Sequence, residues 1–532
     1  MGRSWPVQSV LNPGQPQCGL GASTRPDPDG GRSRVANQEP VKVHPVKTPS
    51  GAARTSAPPR DRPPGGVARR ASPAGGKLAA TVADRIVDDV LAQGWPVGEV
   101  LGSEGELLDR YGVSRAVFRE AVRLVEHQEV ARMRRGPGGG LVVCEPTVES
   151  VIDAVMVYLH RLGARLDDVF ETRLVLEEIV VDLAPDRVEE VDIAALRGAI
   201  HREAVGDASD PRELHMLLAT VTRNPALELF VDILNRVSAL YTDLSLVAPR
   251  IFRESREAHA RIVDAVLAGD RSTARHRMRR HLEAEHAWLR RRRSSRQLLD
   301  PTGVQLTGGG DKRGEGVARE VFRQVVTDGW PVGAFLGSEP ELMERYGVSR
   351  AVLREAVRLL EHHDIAAMRR GPGGGLFVSE PGLATVSDTV ALYLDRRGMD
   401  VGSLVELRTG VEMAVVDRVM DKVDDDVRSC LRQALDAERS APDQGFVQPV
   451  GHDLHAAMAH LTGNPVLELV ALVLIRLAWM RPVDPSGRKP RELIEELTRA
   501  HERIVEAIVS EDRELVRHRL RRHIEALRPY IG

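Results

Sequence analysis

The chain contains itself twice. The stretch GWPVGEVLGSEGELLDRYGVSRAVFREAVRLVEHQEVARMRRGPGGGLVVCEP, Gly94 to Pro146, returns as GWPVGAFLGSEPELMERYGVSRAVLREAVRLLEHHDIAAMRRGPGGGLFVSEP, Gly329 to Pro381. The offset is a constant 235, as from Arg115 to Arg350 or from Gly136 to Gly371. No gap interrupts the match, and about three quarters of its positions are identical. The period is far too long for a solenoid, so the chain is a duplicated multi-domain unit. Weaker echoes follow. Arg223 to Leu234 resembles Gly463 to Leu474, and the stretch from Ala258 resembles the stretch from Ala500, now 242 residues on. The second part of each unit has diverged further than the first.

Six segments follow. Residues 1–75 are rich in Pro, Gly, Arg and Ser, lack a periodic apolar pattern and are expected to be disordered. Residues 76–146 and 314–381 are the repeated first parts, and 147–293 and 382–532 the second parts. The polar, Gly-rich stretch 294–313 reads as the linker. Aromatic residues are only 4% of the 532, so the core must come from Leu, Val, Ile and Ala, which suits helices. The expected fold class is mainly α, with two winged helix-turn-helix domains and two all-α antiparallel helical bundles.

The first parts carry that expectation residue by residue. Leu78, Val82, Ile86 and Val90 form one apolar stripe of a helix that stops near Gly94. Ser103 and Glu106 make a capping-box pattern, opening a short helix that runs to about Tyr111. Gly112 supplies a turn, and Ser114 caps a second helix over 115–127. Arg115, Arg119 and Arg123 share one face of it, with Val117, Ala121, Leu124 and Val125 on the opposite, core side. Two β-prone runs, 130–135 and 141–144, flank a glycine-rich tip with Arg134 and Arg135 at its shoulder. An arginine row is often only a solvated face. Here cap, turn, second cap and basic wing occur in order, twice, and point to a helix that reads the major groove of DNA. The GPGGG tip lacks the Lys-Ser/Thr of a phosphate loop and leads into a β run rather than a helix, so nucleotide binding is excluded.

These residues resemble the GntR family of bacterial transcription regulators, in its FadR-type subgroup. The resemblance rests on Leu101 to Leu107, Tyr111 to Arg115, Val117 to Ala121 and the glycine wing, with their second copies. It implies DNA contacts from Ser114, Arg115, Arg119, Arg123, Arg134, Arg135 and Gly138, and from Ser349, Arg350, Arg354, Arg358, Arg369, Arg370 and Gly373. Where such relatives often carry an Arg between the two Glu residues of the first helix, this chain has Gly105 and Pro340. One base or phosphate contact is expected to be missing.

The second parts show helical periodicity and three histidines at matching places: His215, His259 and His281, then His455, His501 and His523. The last two of each set are 22 residues apart, which puts them on consecutive antiparallel helices. Converging imidazoles suit a divalent metal of the zinc or nickel class. The region resembles the FCD ligand-binding domain, in which an Asp four residues before the first His completes a metal site that helps hold a small carboxylate effector. That slot holds Pro211 and Gly451 here. Asp210 lies on another face, and His452 can substitute in the second copy. The family's Arg and Glu match Arg173 with Glu177 and Arg408 with Glu412. Two readings stand for the arginines, pairing with an effector carboxylate and a structural salt bridge.

Lys and Arg number 74 against 77 Asp and Glu, a net charge of −3, which excludes a chain that is basic throughout and leaves room for a local basic patch. Cys18, Cys144 and Cys430 lack metal spacing and fit a reducing cytoplasm. No apolar run approaches the length needed to span a bilayer, and the N-terminal stretch, with no continuous apolar run, is not expected to act as a signal peptide. The expected function is a sequence-specific transcription regulator, a repressor controlled by a small organic acid and acting on a near-palindromic operator. One chain forms the whole pseudo-symmetric dimer, with further self-association open. The alternatives are an architectural DNA-binding protein with scaffold-only sensors, and a metalloenzyme built on the histidines.

Overall fold

The computed structural model describes residues 73–134, 136, 138–205, 212–240, 249–292, 301, 304, 306, 312–371, 373–440, 452–480 and 490–531. Most of the expected tail and most of the expected linker lie outside them; residues 73–75, expected to be disordered, instead begin the first helix. Within the linker, Val304 and Leu306 are fully buried, so this stretch is not simply a solvated spacer.

The first unit opens with α1 (Pro73–Ala92), β1 (Val100–Gly102), α2 (Glu104–Tyr111), α3 (Arg115–His127), β2 (Ala131–Arg134) and β3 (Gly140–Val143). Seven helices follow: α4 (Val148–Arg161), α5 (Leu166–Arg187), α6 (Glu190–Val205), α7 (Glu213–Val221), α8 (Pro225–Leu240), α9 (Pro249–Leu267) and α10 (Arg271–Arg292). The second unit repeats the order with α11 (Lys312–Thr327), β4 (Phe335–Gly337), α12 (Glu339–Tyr346), α13 (Arg350–His362), β5 (Ala366–Arg369) and β6 (Gly375–Val378). Its helical part comprises α14 (Leu383–Arg396), α15 (Val401–Met420), α16 (Asp425–Ser440), α17 (His452–Leu461), α18 (Pro465–Met480), α19 (Pro490–Val509) and α20 (Arg513–Leu527). Each unit is thus a winged helix-turn-helix followed by a helical bundle. No described helix is long and apolar enough to cross a membrane.

Local chemistry accounts for the helix-turn-helix. The Ser103 hydroxyl accepts from the Glu106 amide, and the Glu106 carboxylate accepts from the Ser103 amide at 2.8 Å. Ser338 and Glu341 repeat this. Gly112 ends α2 at φ 64° and Gly347 ends α12 at φ 60°, a left-handed conformation that glycine adopts without strain. The buried stripe of α1 is Ala79, Val82, Ala83, Ile86 and Val90. Leu78, expected to belong to it, is exposed one turn too early. On α3 the core face is Phe118, Ala121, Val122 and Val125, and the expected Val117 and Leu124 only flank it. The sequence reading also missed β1. It makes each wing a three-stranded antiparallel sheet of order β1-β3-β2, or β4-β6-β5. The glutamate near the end of each reading helix ties it to its wing, Glu126 accepting from the Met133 amide and Glu361 from that of Met368, both at 2.9 Å.

The two units meet about a pseudo-two-fold. Helix α5 packs on α15 and α18, and α15 packs also on α8. At the α5–α15 crossing Ile179 sits against Gly410, where an added Cβ would lie 2.6 Å from its side chain. Asn224 donates to the Ser403 carbonyl at 2.9 Å, and Asn464 donates to the Asp168 carbonyl at 3.0 Å. Ser403 and Asp168 are 235 apart, so these are mates. Arg187 pairs with Glu406 and Arg418 with Glu171, whose glutamates are also mates. The heads cross over. Arg161 of α4 pairs with Glu380 after the second wing, and its mate Arg396 of α14 reaches Glu145 after the first, at 3.6 Å. Leu392 of α14 joins the core of the first head, while His160 of α4 meets Phe322 of α11 edge to face.

Asn464 also caps α18, its Oδ1 accepting from Val466 and Leu467. Asn464→Ala is expected to lower stability by about 1–2 kcal/mol, through a lost cap and a lost hydrogen bond between the units. Urea unfolding checks this. At the first head, burial raises the Asp84 carboxyl from 3.8 to about 8, with Asp388 and Asp88 adding to the shift and Arg476 opposing it. Folded Asp84 therefore holds a proton that the unfolded chain gives up. Its contribution to stability is full below the ordinary Asp value and is lost as pH rises toward 8. Calorimetry between about pH 5 and 9 should show Asp84→Asn flattening this decline; a slope equal to wild type refutes the assignment.

Candidate functional site

The reading faces come first. Ser114 caps α3 and Ser349 caps α13, accepting from Val117 and Val352. Both serines thus sit at the helix start, where backbone amides also point outward. Arg115, Arg119 and Arg123 project from one solvent-facing side, as do Arg350, Arg354 and Arg358. They are not loose. Glu104 at the start of α2 faces both Arg119, at 3.1 Å, and Arg115, at 3.5 Å. Glu339 does the same for Arg350, at 3.3 Å, and Arg354, at 3.5 Å. Arg123 pairs with Glu120 and Arg358 with Glu355. These surface pairs are weak, and phosphates or guanine edges can displace them. Across the wing Arg134 donates to the Gly138 carbonyl at 2.9 Å, holding the tip. Arg369 lies over the Phe377 ring, and Arg370 and Gly373 are exposed beside it. Arg135 lies outside the described residues.

The histidines converge as their spacing predicts. In the first sensor, α7 brings His215, α9 His259 and α10 His281. In the second, α17, α19 and α20 bring His455, His501 and His523. All six are buried. The Nε2 atom of His281 stands 3.2 Å from that of His259 and 3.3 Å from that of His215. His523 stands 3.1 Å from His501 and 3.2 Å from His455. Among the described residues each cluster offers three imidazoles and no carboxylate ligand. The positions of Asp210, Pro211 and Gly451, and the side chain of His452, lie outside them.

Carboxylates stand behind two of the three rings. Glu177 accepts from His215 Nδ1 and from Arg173 Nε, and Glu412 accepts from His455 Nδ1 and Arg408 Nε. Both acids are fully buried, yet the facing histidine and arginine hold each down at about 2 against the opposing effect of burial. An ionised carboxylate only accepts, so Nδ1 carries the proton and Nε2 presents its lone pair inward. Glu203 does the same for His259 at 2.8 Å, and Glu438 for His501 at 2.8 Å. Burial, then the neighbouring imidazoles, push His281 and His523 well below their ordinary value, which favours their neutral form. Three ring nitrogens packed this closely cannot all hydrogen-bond to one another. As a donor set they fit a divalent cation.

Arg173 and Arg408 are buried on α5 and α15, the second helix after each wing. Beyond Glu177, Arg173 also pairs with Glu285 of α10, which the sequence reading missed along with Glu203 and Glu438. The latter two were visible in principle, as acids kept at an offset of 235 where the copies otherwise diverge. In the first sensor Arg173 and the three histidines line a cavity of about 1090 Å³, with Phe252 and Trp288 among its walls.

Comparison with known proteins gives matches in both units. The model of the bacterial regulatory proteins of the gntR family matches residues 78–141 and 313–378. The FCD domain model matches 168–284 and 403–526. The chain is 27% identical over 213 residues to the Uxu operon regulator of Haemophilus influenzae, covering 36% of this chain and 75% of that one. It is 27% identical over 199 residues to the HTH-type transcriptional regulator LutR of Bacillus subtilis, covering 35% and 89%. It is 29% identical over 161 residues to the Exu regulon transcriptional regulator of Escherichia coli, covering 29% and 59%. A solved GntR structure from Streptococcus agalactiae is 23% identical over 40% of this chain and 99% of that one, with a TM-score of 0.30.

If the carboxylates orient the rings, Glu203→Gln and Glu438→Gln should each weaken zinc or nickel binding by about 10–100-fold at their own cluster. Titration of metal-stripped protein followed by calorimetry reads this directly.

Proposed function

The chain belongs to the gntR family of bacterial regulatory proteins, with an FCD domain behind each gntR domain, and we propose on that premise that one polypeptide is a complete two-headed repressor. It is a transcription regulator, not an enzyme. The heads are residues 76–146 and 314–381, the sensors 147–293 and 382–532, and the cytoplasm is its place of action. The observation that carries the reading is the crossed pair of mates, Arg161 with Glu380 and Arg396 with Glu145. Contacts exchanged in this way are the mark of a two-fold interface, here closed within a single chain. A pseudo-two-fold protein suits a near-palindromic operator with two half-sites.

In this reading Arg115, Arg119, Arg350 and Arg354 meet base edges, with Ser114 and Ser349 fixing the helix starts on phosphate. Arg123, Arg358 and the wing arginines Arg134, Arg135, Arg369 and Arg370 neutralise backbone, and Gly138 and Gly373 allow the wing tips to approach closely. Glu104 and Glu339 hold the base-reading arginines extended before DNA arrives. Behind the heads, the histidine clusters hold a divalent metal of the zinc or nickel class. Bound there, the metal supplies a Lewis-acidic anchor for the carboxylate of a small organic acid, and a buried arginine supplies a second anchor. Occupancy changes the sensor packing. The heads are joined crosswise to that packing through α4 and α14, so their spacing follows.

Footprinting paired with light scattering should find one chain protecting one operator of two half-sites. Two chains on such a short operator sink the proposal. Arg119→Ala and Arg354→Ala should each lose about 1–3 kcal/mol of operator affinity at fixed salt and relax preference at one base.

A further inference from the structure

The two sensors differ at the arginine. Arg173 and Arg408 hold matching places 235 residues apart, both almost wholly buried, and each donates Nε to its own glutamate at 2.5 Å. Their second contacts are not alike. Arg173 Nη1 donates to both oxygens of Glu285, at 3.0 and 3.1 Å. Glu285 lies four residues after His281, one turn along α10 and on the same face. Four residues after His523 comes Leu527, itself buried. Arg408 Nη1 is buried and has no hydrogen-bond partner among the described residues. An orphaned donor on a buried charge is strongly unfavourable, and such groups persist where something else satisfies them.

Neighbouring positions change in the same direction. Asn235, Ser238 and Ser255 line the first cavity. At their offsets of 240 and 242 the second sensor has Ile475, Ala478 and Leu497, all buried and apolar. A guanidinium short of one carboxylate, beside three converging imidazoles and apolar positions, is suited to an acid with an apolar body.

Building on the effector-controlled reading above, we propose that the first sensor carries its own carboxylate, Glu285, in the seat at Arg173, and that only the second sensor takes a carboxylate ligand, at Arg408. The chain then binds one such ligand rather than two. A second acid at Arg173 would face the Glu285 charge and find Nη1 already bonded. The first sensor is held in the liganded arrangement by its own side chain, and the second alone responds.

The test uses the full chain with acetate, butyrate and hexanoate as probes, by isothermal calorimetry and thermal shift. Wild type is expected to bind one carboxylate per chain. Glu285→Leu opens the first seat and should raise the number to two. Leu527→Glu supplies the missing acid and should weaken binding by about tenfold or more, while Leu527→Gln, of similar size and uncharged, should retain it. Circular dichroism without carboxylate, measured for every variant, confirms that each is folded. Two sites in wild type, no binding of any probe, or wild-type binding by Leu527→Glu overturns the proposal. Failure to bind an operator would instead strike the regulator reading, and the carboxylate count by calorimetry would still stand.

Discussion

The architecture depends on the packing of α5 against α15 and on the two asparagines that lock it. Asn224 and Asn464 each turn their oxygen to cap a helix of their own sensor and their amide to a backbone carbonyl of the other. A buried amide must find an acceptor, and each asparagine finds one on a helix of the other sensor, where the Asp168 carbonyl also accepts from Thr172 of its own helix. The seat of Ile179 on Gly410 sets the approach of the two helices. The core runs without a break from the first sensor through the second, and the second head joins it as well. The units are therefore not beads on a string. In a homodimer the same surface would depend on protomer concentration. In one chain it closes intramolecularly, and the linker sets a fixed effective concentration.

The second organising element is buried charge. The run Arg173–Glu177–His215, with its mate Arg408–Glu412–His455, places two permanent charges and an imidazole out of water. Such sets contribute little to stability compared with apolar side chains of the same shape. Their value lies in orientation. Each glutamate fixes its histidine in one tautomer and aims the free nitrogen at a common centre, and each arginine keeps that glutamate ionised. One substitution, Glu285 against Leu527, then makes two nearly identical constellations electrically different.

The sequence was most legible where order in the chain is also order in space. The capping boxes, the glycine turns and the basic face of α3 need only neighbours within a few residues, and they could be read directly. The histidine sets were legible because duplication served as a second reading of the same chain. β1 was missed because its three residues carry no alternation of their own and are strand only through pairing with β3. Leu78 was misplaced because a stripe read by spacing alone does not reveal where the core ends. Glu203, Glu285 and Glu438 are charged residues on amphipathic helices, and by pattern such residues belong to solvent.

By itself, then, the sequence determined that this protein is one two-domain unit written twice, with a helix-turn-helix, a basic wing and a three-histidine sensor in each copy. Those features are set by caps, turns and helical period, all short-range. Only the tertiary structure decided that each head rests on the other unit's sensor, that carboxylates stand behind the histidines, and that among the described residues Arg173 has a second acid while Arg408 has none. These depend on contacts between residues far apart in the chain, where burial and the need to pair every polar group decide the outcome, and no local pattern records them.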